Sequence, residues 1–165
     1  MRIVPLSLAL IPLSIAAPAA AQVAAAIDPI AFFTGHTRGT GRLKVAMKPA
    51  QAIDVDGYGR VERDGTLVLR QTVSRPGKDP ERREWRIRAV APGRWSGTLS
   101  TAVGPVTGEI VKGRLKLSYR MKGGLSATQW IDGAADGRSA TNRMTIRKLG
   151  VPVARIDETI RRTGS

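Results

Sequence analysis

The chain has 165 residues, enough for one domain, and 42% of them are hydrophobic, so the composition permits a packed core. It contains no cysteine, which excludes disulfides, thiolate zinc sites, cysteine nucleophiles and the cysteine-linked anchor of lipoproteins. Its 27 Lys and Arg against 13 Asp and Glu give a net charge of +14. That charge favours polyanionic partners such as anionic lipid headgroups, although charges spread along a chain are also typical of a solvated exterior.

The N-terminal segment has the three parts of a secretory signal peptide. Arg2 gives the positive start, residues 3–17 form an uncharged and mostly apolar stretch, and three alanines at 19–21 suit signal peptidase. Three prolines disfavour the alternative of an uncleaved membrane helix. We therefore expect a signal peptide at residues 1–21 with cleavage near Ala21, a domain at residues 22–165, and a periplasmic or secreted product that is not a lipoprotein.

A short helical lead-in is predicted next. Residues 22–31 are rich in alanine, and the Asp28-Pro29 pair is typical of a helix start because proline is favoured at the first helical position. Such a turn would hold Ile30, Phe32 and Phe33 against the core. One use of a helix placed there would be to plug one end of a barrel.

From residue 37 onward, short runs alternate apolar and polar residues between glycine-rich turns. Asp64-Gly65 is a strong two-residue hairpin signal, and residues 75–81 contain two prolines and a glycine, which predicts a loop. The clearest strand is 114–122, where apolar and mostly basic residues alternate. The other runs are 37–47, 53–61, 66–74, 84–89, 95–101, 125–132, 138–149 and 151–162.

These runs predict an all-β fold, a single antiparallel meander of about eight to ten strands with a turn about every ten residues. No long helical period follows residue 36. A sheet of this size has edges that must be protected, and closing it into a barrel removes them. We therefore expect a closed β-barrel, with a two-sheet β-sandwich as the alternative.

Few residues are suited to catalysis or metal binding. His36 is the only histidine, which speaks against a zinc site. Asp54 and Asp56 share one face of a strand, as paired catalytic or calcium-binding carboxylates do, but such pairs are more often solvated. No serine-hydrolase, P-loop or dinucleotide-binding motif occurs. The sequence assigns no catalytic residue, metal or cofactor, and an enzyme is the least supported of the functions.

Four large aromatic residues are candidates for a ligand site. Trp85, Trp95, Tyr119 and Trp130 each lie on a predicted strand, and the first three are in phase with the apolar residues of their strands. They would either line a cavity for an acyl chain or another amphipathic ligand, or fill the barrel as aromatic side chains usually do. With 18 glycines and few large residues, a partly open interior is credible.

Four segments of the chain resemble the bacterial DUF3833 family. They are Phe32-Phe33-Thr34-Gly35-His36 with Gly39 and Gly41; Asp64-Gly65 with Arg83-Glu84-Trp85-Arg86-Ile87; Gly104-Pro105-Val106-Thr107-Gly108-Glu109 with Gly113 and residues 115–119; and Asn142-Arg143-Met144 with Lys148-Leu149-Gly150-Val151. The resemblance implies a small exported, lipocalin-like β-barrel without an assigned function. Where that family is expected to have an acidic residue ahead of Trp130, this chain has Thr128-Gln129.

Asn142 and Arg143 lie together in the fourth segment. If Arg143 is buried it needs a partner, either the carboxylate of a ligand or an internal Asp or Glu. We therefore place Asn142 and Arg143 with the four aromatic residues as the candidate ligand-binding set.

Two functions remain open from the sequence. The first is a periplasmic protein that binds a lipid or fatty-acyl ligand inside the barrel and meets an anionic membrane surface with its basic rims. The second is a non-enzymatic structural or interaction protein of the envelope with a filled core. Nucleic-acid binding would explain the charge but conflicts with export and with the scarcity of aromatic residues for base stacking. The sequence does not indicate an oligomeric state.

Overall fold

A closed antiparallel β-barrel accounts for most of the computed structural model, which describes residues 26–164. The expected signal peptide at residues 1–21 lies outside this range. The strands are β1 (Gly35–Val45), β2 (Gln51–Val61), β3 (Leu67–Arg75), β4 (Lys78–Ala91), β5 (Arg94–Leu99), β6 (Ala102–Val111), β7 (Arg114–Met121), β8 (Leu125–Gly133), β9 (Ser139–Lys148) and β10 (Val151–Gly164). Each strand pairs with the next along the chain.

The barrel closes where the first strand meets the last. β1 and β10 pair antiparallel from Thr37 opposite Arg162 to Val45 opposite Ala154. The sheet order is therefore continuous through all ten strands, which confirms the predicted closed barrel of lipocalin-like type and excludes the β-sandwich. Closure satisfies backbone groups that an open sheet would leave unpaired at its two edges.

Alternation along each strand directs the apolar side chains inward. In β7, Leu115, Leu117 and Tyr119 are buried while the intervening residues are partly exposed. The core also includes Leu67 and Ile131, which are at most 2% exposed. Since successive side chains of a strand point to opposite faces, the two-residue period read from the sequence is sufficient to define the inside of the barrel.

The predicted lead-in is a single helical turn, α1 (Pro29–Phe33), across one end of the barrel. The Asp28 side chain caps it by accepting a hydrogen bond from the Ile30 backbone N–H at 2.9 Å. Phe32 and Phe33 are buried in the core and pack edge to face, with ring centroids 5.0 Å apart. This confirms the expectation that α1 fills one end of the barrel.

The two ends of the barrel differ. The closed end is covered by α1 and carries the turns at residues 62–66, 92–93, 112–113 and 134–138. The open end carries the hairpin turns at residues 46–50, 76–77, 100–101, 122–124 and 149–150, and no helix of the described residues covers it. Residues 122–124 form a short 3₁₀ turn.

Residues 75–81 are not the loop that the sequence predicted. β3 extends to Arg75 and β4 begins at Lys78, so only Pro76 and Gly77 form the turn, with Gly77 at φ 68°. Pro80 lies within β4 where that strand pairs with β3 alone, because pairing with β5 begins only at Trp85. A proline lacks the N–H of a ladder hydrogen bond, so a strand tolerates it at such a one-sided position.

His36 is the second residue of β1 and is exposed. Its ring lies 4.7 Å from that of Tyr58 on β2, centroid to centroid. Among residues 26–164, there is no helix of the length and hydropathy needed to span a bilayer.

Candidate functional site

The interior of the barrel contains two cavities of very different size. The cavity beneath α1 is about 30 Å³, and core side chains such as Phe33, Leu67 and Trp85 surround it. The cavity toward the open end is about 190 Å³. A cavity needs about 10–15 Å³ of such space to hold one water molecule, so the closed half of the barrel has room for only a few and is nearly filled. The larger cavity is the candidate ligand site.

Half of the residues that line the larger cavity have aliphatic or thioether side chains. They are Leu43, Ile53, Val55, Val73, Met121, Met144, Ile146 and Ile156. At the rim lie Arg75, Glu81 and Thr101, which are partly or fully exposed. Ligand pockets are usually about 300–1,000 Å³, so a ligand enclosed here would be small, or would extend through the open end.

Four side chains line both cavities and separate them: Arg83, Gln129, Asn142 and Glu158. We call this set the polar layer. Its members come from β4, β8, β9 and β10, and three of them are buried, whereas Arg83 is partly exposed. A buried polar group is costly unless it is hydrogen-bonded, so the contacts of these side chains decide what the layer can bind.

Asn142 and Glu158 form a buried, hydrogen-bonded pair within the polar layer. Asn142 Nδ2 donates a hydrogen bond to Glu158 Oε2 at 3.0 Å. The other amide atom, Asn142 Oδ1, is buried and has no hydrogen-bond partner among the described residues. Burial raises the pKa of the Glu158 carboxyl, and the Asn142 hydrogen bond and the Arg83 charge oppose that shift in part. The layer thus combines a carboxyl biased toward its neutral form with an unused acceptor.

Gly39 provides the space that Glu158 occupies. The two residues lie on the paired strands β1 and β10, and a Cβ built on Gly39 would overlap the Glu158 carboxyl group. Glycine in a strand often marks such a close approach, because any other residue would fill the space. Gly39, which lies in the inward phase of β1, is therefore part of the site.

Gln129 and Tyr119 form a second contact beside Glu158. Gln129 Nε2 donates to the Tyr119 hydroxyl at 2.8 Å, and that hydroxyl lies 3.9 Å from Met144 Sδ. Burial raises the pKa of the Tyr119 phenol, with Arg83 and Gln129 acting in the opposite direction. Tyr119 thus remains neutral, with its hydroxyl at the wall of the larger cavity.

Arg83 is held at the edge of the layer by Gln71. The Oε1 atom of Gln71 accepts from Arg83 Nε at 2.9 Å and from Trp85 Nε1 at 2.8 Å. The Arg83 guanidinium carbon lies 5.9 Å from the centroid of the Trp85 ring, and that ring packs perpendicular to Tyr119 at 5.5 Å. One cation is therefore fixed against the aromatic wall of the interior.

The six residues of the candidate ligand-binding set do not all lie in the same place in the structure. Trp85, Tyr119 and Asn142 lie together inside the barrel, and each lines at least one cavity. Trp95 is buried in the core but lines neither cavity. Trp130 and Arg143 lie on the outer face of the barrel and do not contact the interior.

The parity of the strands explains the difference for Trp130 and Arg143. In β8 the buried residues are Gln129 and Ile131, so Trp130 between them points outward. Its ring lies 5.0 Å from the Arg114 guanidinium carbon. Arg143, for which a partner was considered in case it is buried, is 73% exposed, and its Nε atom lies 3.9 Å from Asp157 Oδ1 on β10. It needs no internal partner.

Three residues of the polar layer were missed by the sequence analysis, and two carry a signal that could have revealed them. Glu158 alternates in phase with Ile156 and Ile160, and Gln129 in phase with Ala127 and Ile131. A carboxyl or amide in the apolar phase of a strand predicts a polar group inside the barrel. Arg83 carries a weaker signal, because it is in phase with Trp85 and Ile87 but lies at the end of that apolar run, next to the exposed Glu81 of the same phase.

The remaining candidates stay apart from this site. Asp54 and Asp56 are exposed on the outer face of β2, as the solvated alternative expects. Within residues 26–164, no group of three His, Asp or Glu side chains is arranged to hold a metal ion.

Comparison with known proteins gives a family and a fold. The family model described as "Protein of unknown function (DUF3833)" matches residues 13–162. No curated protein matches the chain. Among solved structures, the chain is similar to an S-type phycobiliprotein lyase from Guillardia theta, with a TM-score of 0.66 and 10% sequence identity over 82% of this chain and 91% of that chain. At this identity, the similarity shows a shared fold and not a shared activity.

Proposed function

This chain belongs to the DUF3833 family, which has no assigned function, and we propose that it binds one small, mostly apolar ligand in the open half of its barrel. The ligand's apolar body occupies the cavity of about 190 Å³. Its polar end carries a hydrogen-bond donor, such as a hydroxyl, amide or amine group, and reaches the polar layer. A short acyl chain with such an end, or the terminal part of a lipid, has this chemistry.

The observation that carries the proposal is the unpartnered Oδ1 atom of buried Asn142, a member of the polar layer that lines the inner wall of the larger cavity. Leaving a buried acceptor without a donor costs about 1–3 kcal/mol, so a ligand that supplies the donor gains from filling this position. The aliphatic lining contributes through burial of the ligand's apolar surface. Together these features favour an amphipathic ligand over a fully polar or fully apolar one.

The cellular setting of the proposal comes from the sequence. The signal-peptide pattern of residues 1–21 supports export to the periplasm, and the net charge of +14 supports contact with an anionic membrane surface. In that setting the ligand would be a lipid or fatty-acyl compound of the envelope. The alternative, a structural protein of the envelope, is supported by the filled closed half of the barrel.

Binding is tested with N-phenyl-1-naphthylamine, a small apolar probe with one N–H donor. We expect binding of one probe per chain with increased probe fluorescence. Ile146→Trp fills the cavity and should abolish binding, whereas Val90→Trp, at an exposed position 54% accessible, serves as the matched control and should leave it unchanged. Equal binding by both variants, or none by the unmodified protein, would contradict the proposal.

The role of Asn142 is tested separately. Asn142→Leu removes the acceptor but keeps a side chain of similar size, so the probe should bind about tenfold more weakly if its N–H reaches this atom. N,N-dimethyl-1-naphthylamine, which lacks the donor, should distinguish little between the two proteins. Organic extraction and native mass spectrometry of protein from the periplasm would then identify a natural ligand, and a consistently empty barrel would favour the structural alternative.

A further inference from the structure

The open end of the barrel exposes three large apolar side chains on two neighbouring hairpins. Met47 is fully exposed, Leu149 is 90% exposed and Val151 is 62% exposed. The β1–β2 and β9–β10 hairpins lie side by side because β1 pairs with β10, and the Ala46 backbone N–H donates to the Val153 carbonyl. Single exposed apolar residues are common, but an exposed group at one rim is a feature of interaction sites.

The fold does not explain why these tips are apolar. Met47 has φ 62° and Leu149 has φ 49°, a left-handed conformation that glycine, asparagine or aspartate adopts at lower cost. At the closed end, the turn residue with the same conformation is Lys112, with φ 51°. A polar residue therefore satisfies the backbone equally well, and the apolar side chains at the open end gain nothing from packing within the chain.

Basic side chains surround these apolar tips. The open-end hairpins and their flanks carry Lys44, Lys48, Arg75, Lys78, Arg120, Lys122, Arg147 and Lys148. None of these eight forms an ion pair with another described residue, and the acidic residues nearby in sequence are Asp79 and Glu81. At the closed end, by contrast, Glu62 pairs with Arg60 and Arg86, and Asp132 pairs with Arg114. Basic residues without an ion pair to another described residue, such as Arg63 and Arg138, also lie at the closed end, so the difference between the two ends is in their acidic residues. The turns of the open end contain no Asp or Glu, whereas those of the closed end contain Glu62, Asp64 and Asp136.

We propose that the open end docks on an anionic lipid bilayer, with Met47, Leu149 and Val151 entering the interface. The surrounding lysines and arginines then lie against phosphate headgroups. Apolar insertion and electrostatic attraction act together at membrane surfaces, and neither is sufficient alone for most peripheral proteins. Where the proposed ligand function also holds, this orientation places the mouth of the cavity against the lipids from which a ligand would be taken.

A second copy of the chain is a less suitable occupant of this surface. A symmetric contact would bring the same unpaired lysines and arginines of two copies together. Nucleic acid fits the charge but not the fully exposed Met47 and Leu149, because phosphate contacts need no apolar tips. An anionic bilayer satisfies both features at once.

Docking is tested by vesicle flotation of protein purified from the periplasm. The vesicles contain phosphatidylglycerol and phosphatidylcholine in equal parts. We expect binding to these vesicles, little binding to pure phosphatidylcholine, and weakening at high salt. Met47→Ser with Leu149→Ser should lower affinity about tenfold or more. Val61→Ser with Val90→Ser, at exposed positions near the closed end, is the matched control and should bind as the unmodified protein does.

Several outcomes would overturn the docking proposal. One is equal vesicle binding by the two double variants, and another is binding that does not depend on phosphatidylglycerol. A third is self-association in the absence of vesicles that is abolished by the Met47 and Leu149 substitutions. The fourth is tighter binding to an oligonucleotide than to vesicles. Probe binding without vesicles is scored on the same proteins. If Ile146→Trp loses the probe but floats normally, docking and ligand binding are separate properties, and each is accepted or rejected by its own assay.

Discussion

Asn142 and Glu158 face each other directly across β9 and β10, and their side chains join inside the barrel at 3.0 Å. Neither residue lies in a loop, since both are in the middle of paired strands, so the position of the pair depends on no flexible segment. It therefore fixes a carboxyl group at mid-depth in an apolar interior. The chemistry of the interior and its dependence on pH both follow from this pair.

Replacing Glu158 tests the predicted shift of its pKa. The folded-state pKa lies above the ordinary value of 4.5, so the native state holds the proton more tightly than the unfolded state. The stability that this group contributes is therefore fully present at a pH below the ordinary pKa, and it is lost as the pH rises through the folded-state pKa. Glu158→Gln removes this loss. The melting temperature of the variant minus that of the unmodified protein should therefore be greater at about pH 8 than at about pH 4.

The comparison at two pH values cancels the effect of the substitution on packing. Asp56→Asn, on the outer face of β2, is a control for the removal of one negative charge. If the Glu158→Gln difference in melting temperature were the same at both pH values, the carboxyl would not be shifted upward.

Replacing Gly39 tests the close approach of β1 to Glu158. Gly39→Ala would place a methyl group where the carboxyl lies, and overpacking of this kind typically costs about 1–3 kcal/mol. Gly164→Ala is the control, because a Cβ there meets only the His36 Cβ at 3.9 Å, an ordinary contact. Urea unfolding of both variants gives the comparison. A loss of stability no greater for Gly39→Ala than for Gly164→Ala would show that Glu158 moves aside freely.

Iodide quenching tests the outward position of Trp130. Trp85 and Trp95 are 4% and 8% exposed, whereas Trp130 lies on the outer face beside Arg114 and Lys116, whose charges attract the anion. We expect Trp130→Phe to remove most of the quenchable fluorescence. Trp85→Phe should lower total emission yet leave the quenchable part in place, and the reverse result would place Trp130 inside.

Truncation of a fully buried leucine tests the packing of the closed half. Leu115 is 0% exposed in the core, so Leu115→Ala should lower the free energy of unfolding by about 2–5 kcal/mol. Val61→Ala, at a position 45% exposed, should change it by less than about 0.5 kcal/mol. Chemical denaturation measures both. A cost below about 1 kcal/mol for Leu115→Ala would indicate a loosely packed interior.

The barrel was predictable because its determinants are local. The two-residue period of β7 and hairpin signals such as Asp64-Gly65 lie within a few residues of one another, and each fixes a strand or a turn independently. The helical turn α1 was likewise encoded by Asp28-Pro29. The one misjudged loop, around Pro80, depended on which strand lies beside β4, and that is a property of the whole sheet.

The polar layer was only partly predictable because its contacts depend on register between strands. Asn142 was identified, but its partner Glu158 is brought opposite it by the β9–β10 pairing and not by spacing in the sequence. Gln129 reaches Tyr119 in the same way across β7 and β8. Trp130 shows the opposite error, since it was included as an aromatic residue on a strand although only the other three aromatic residues were in phase with the apolar residues of their strands.

The seam between β1 and β10 has a consequence for how fast the protein acquires its structure. Residues near 37 pair with residues near 162, so the barrel cannot close until nearly the whole chain has been synthesised. Pairings this distant in sequence raise the contact order, which slows folding relative to structures built from local contacts. Until the seam forms, the edges of the first and last strands remain available to other chains, so refolding yield should fall as protein concentration rises.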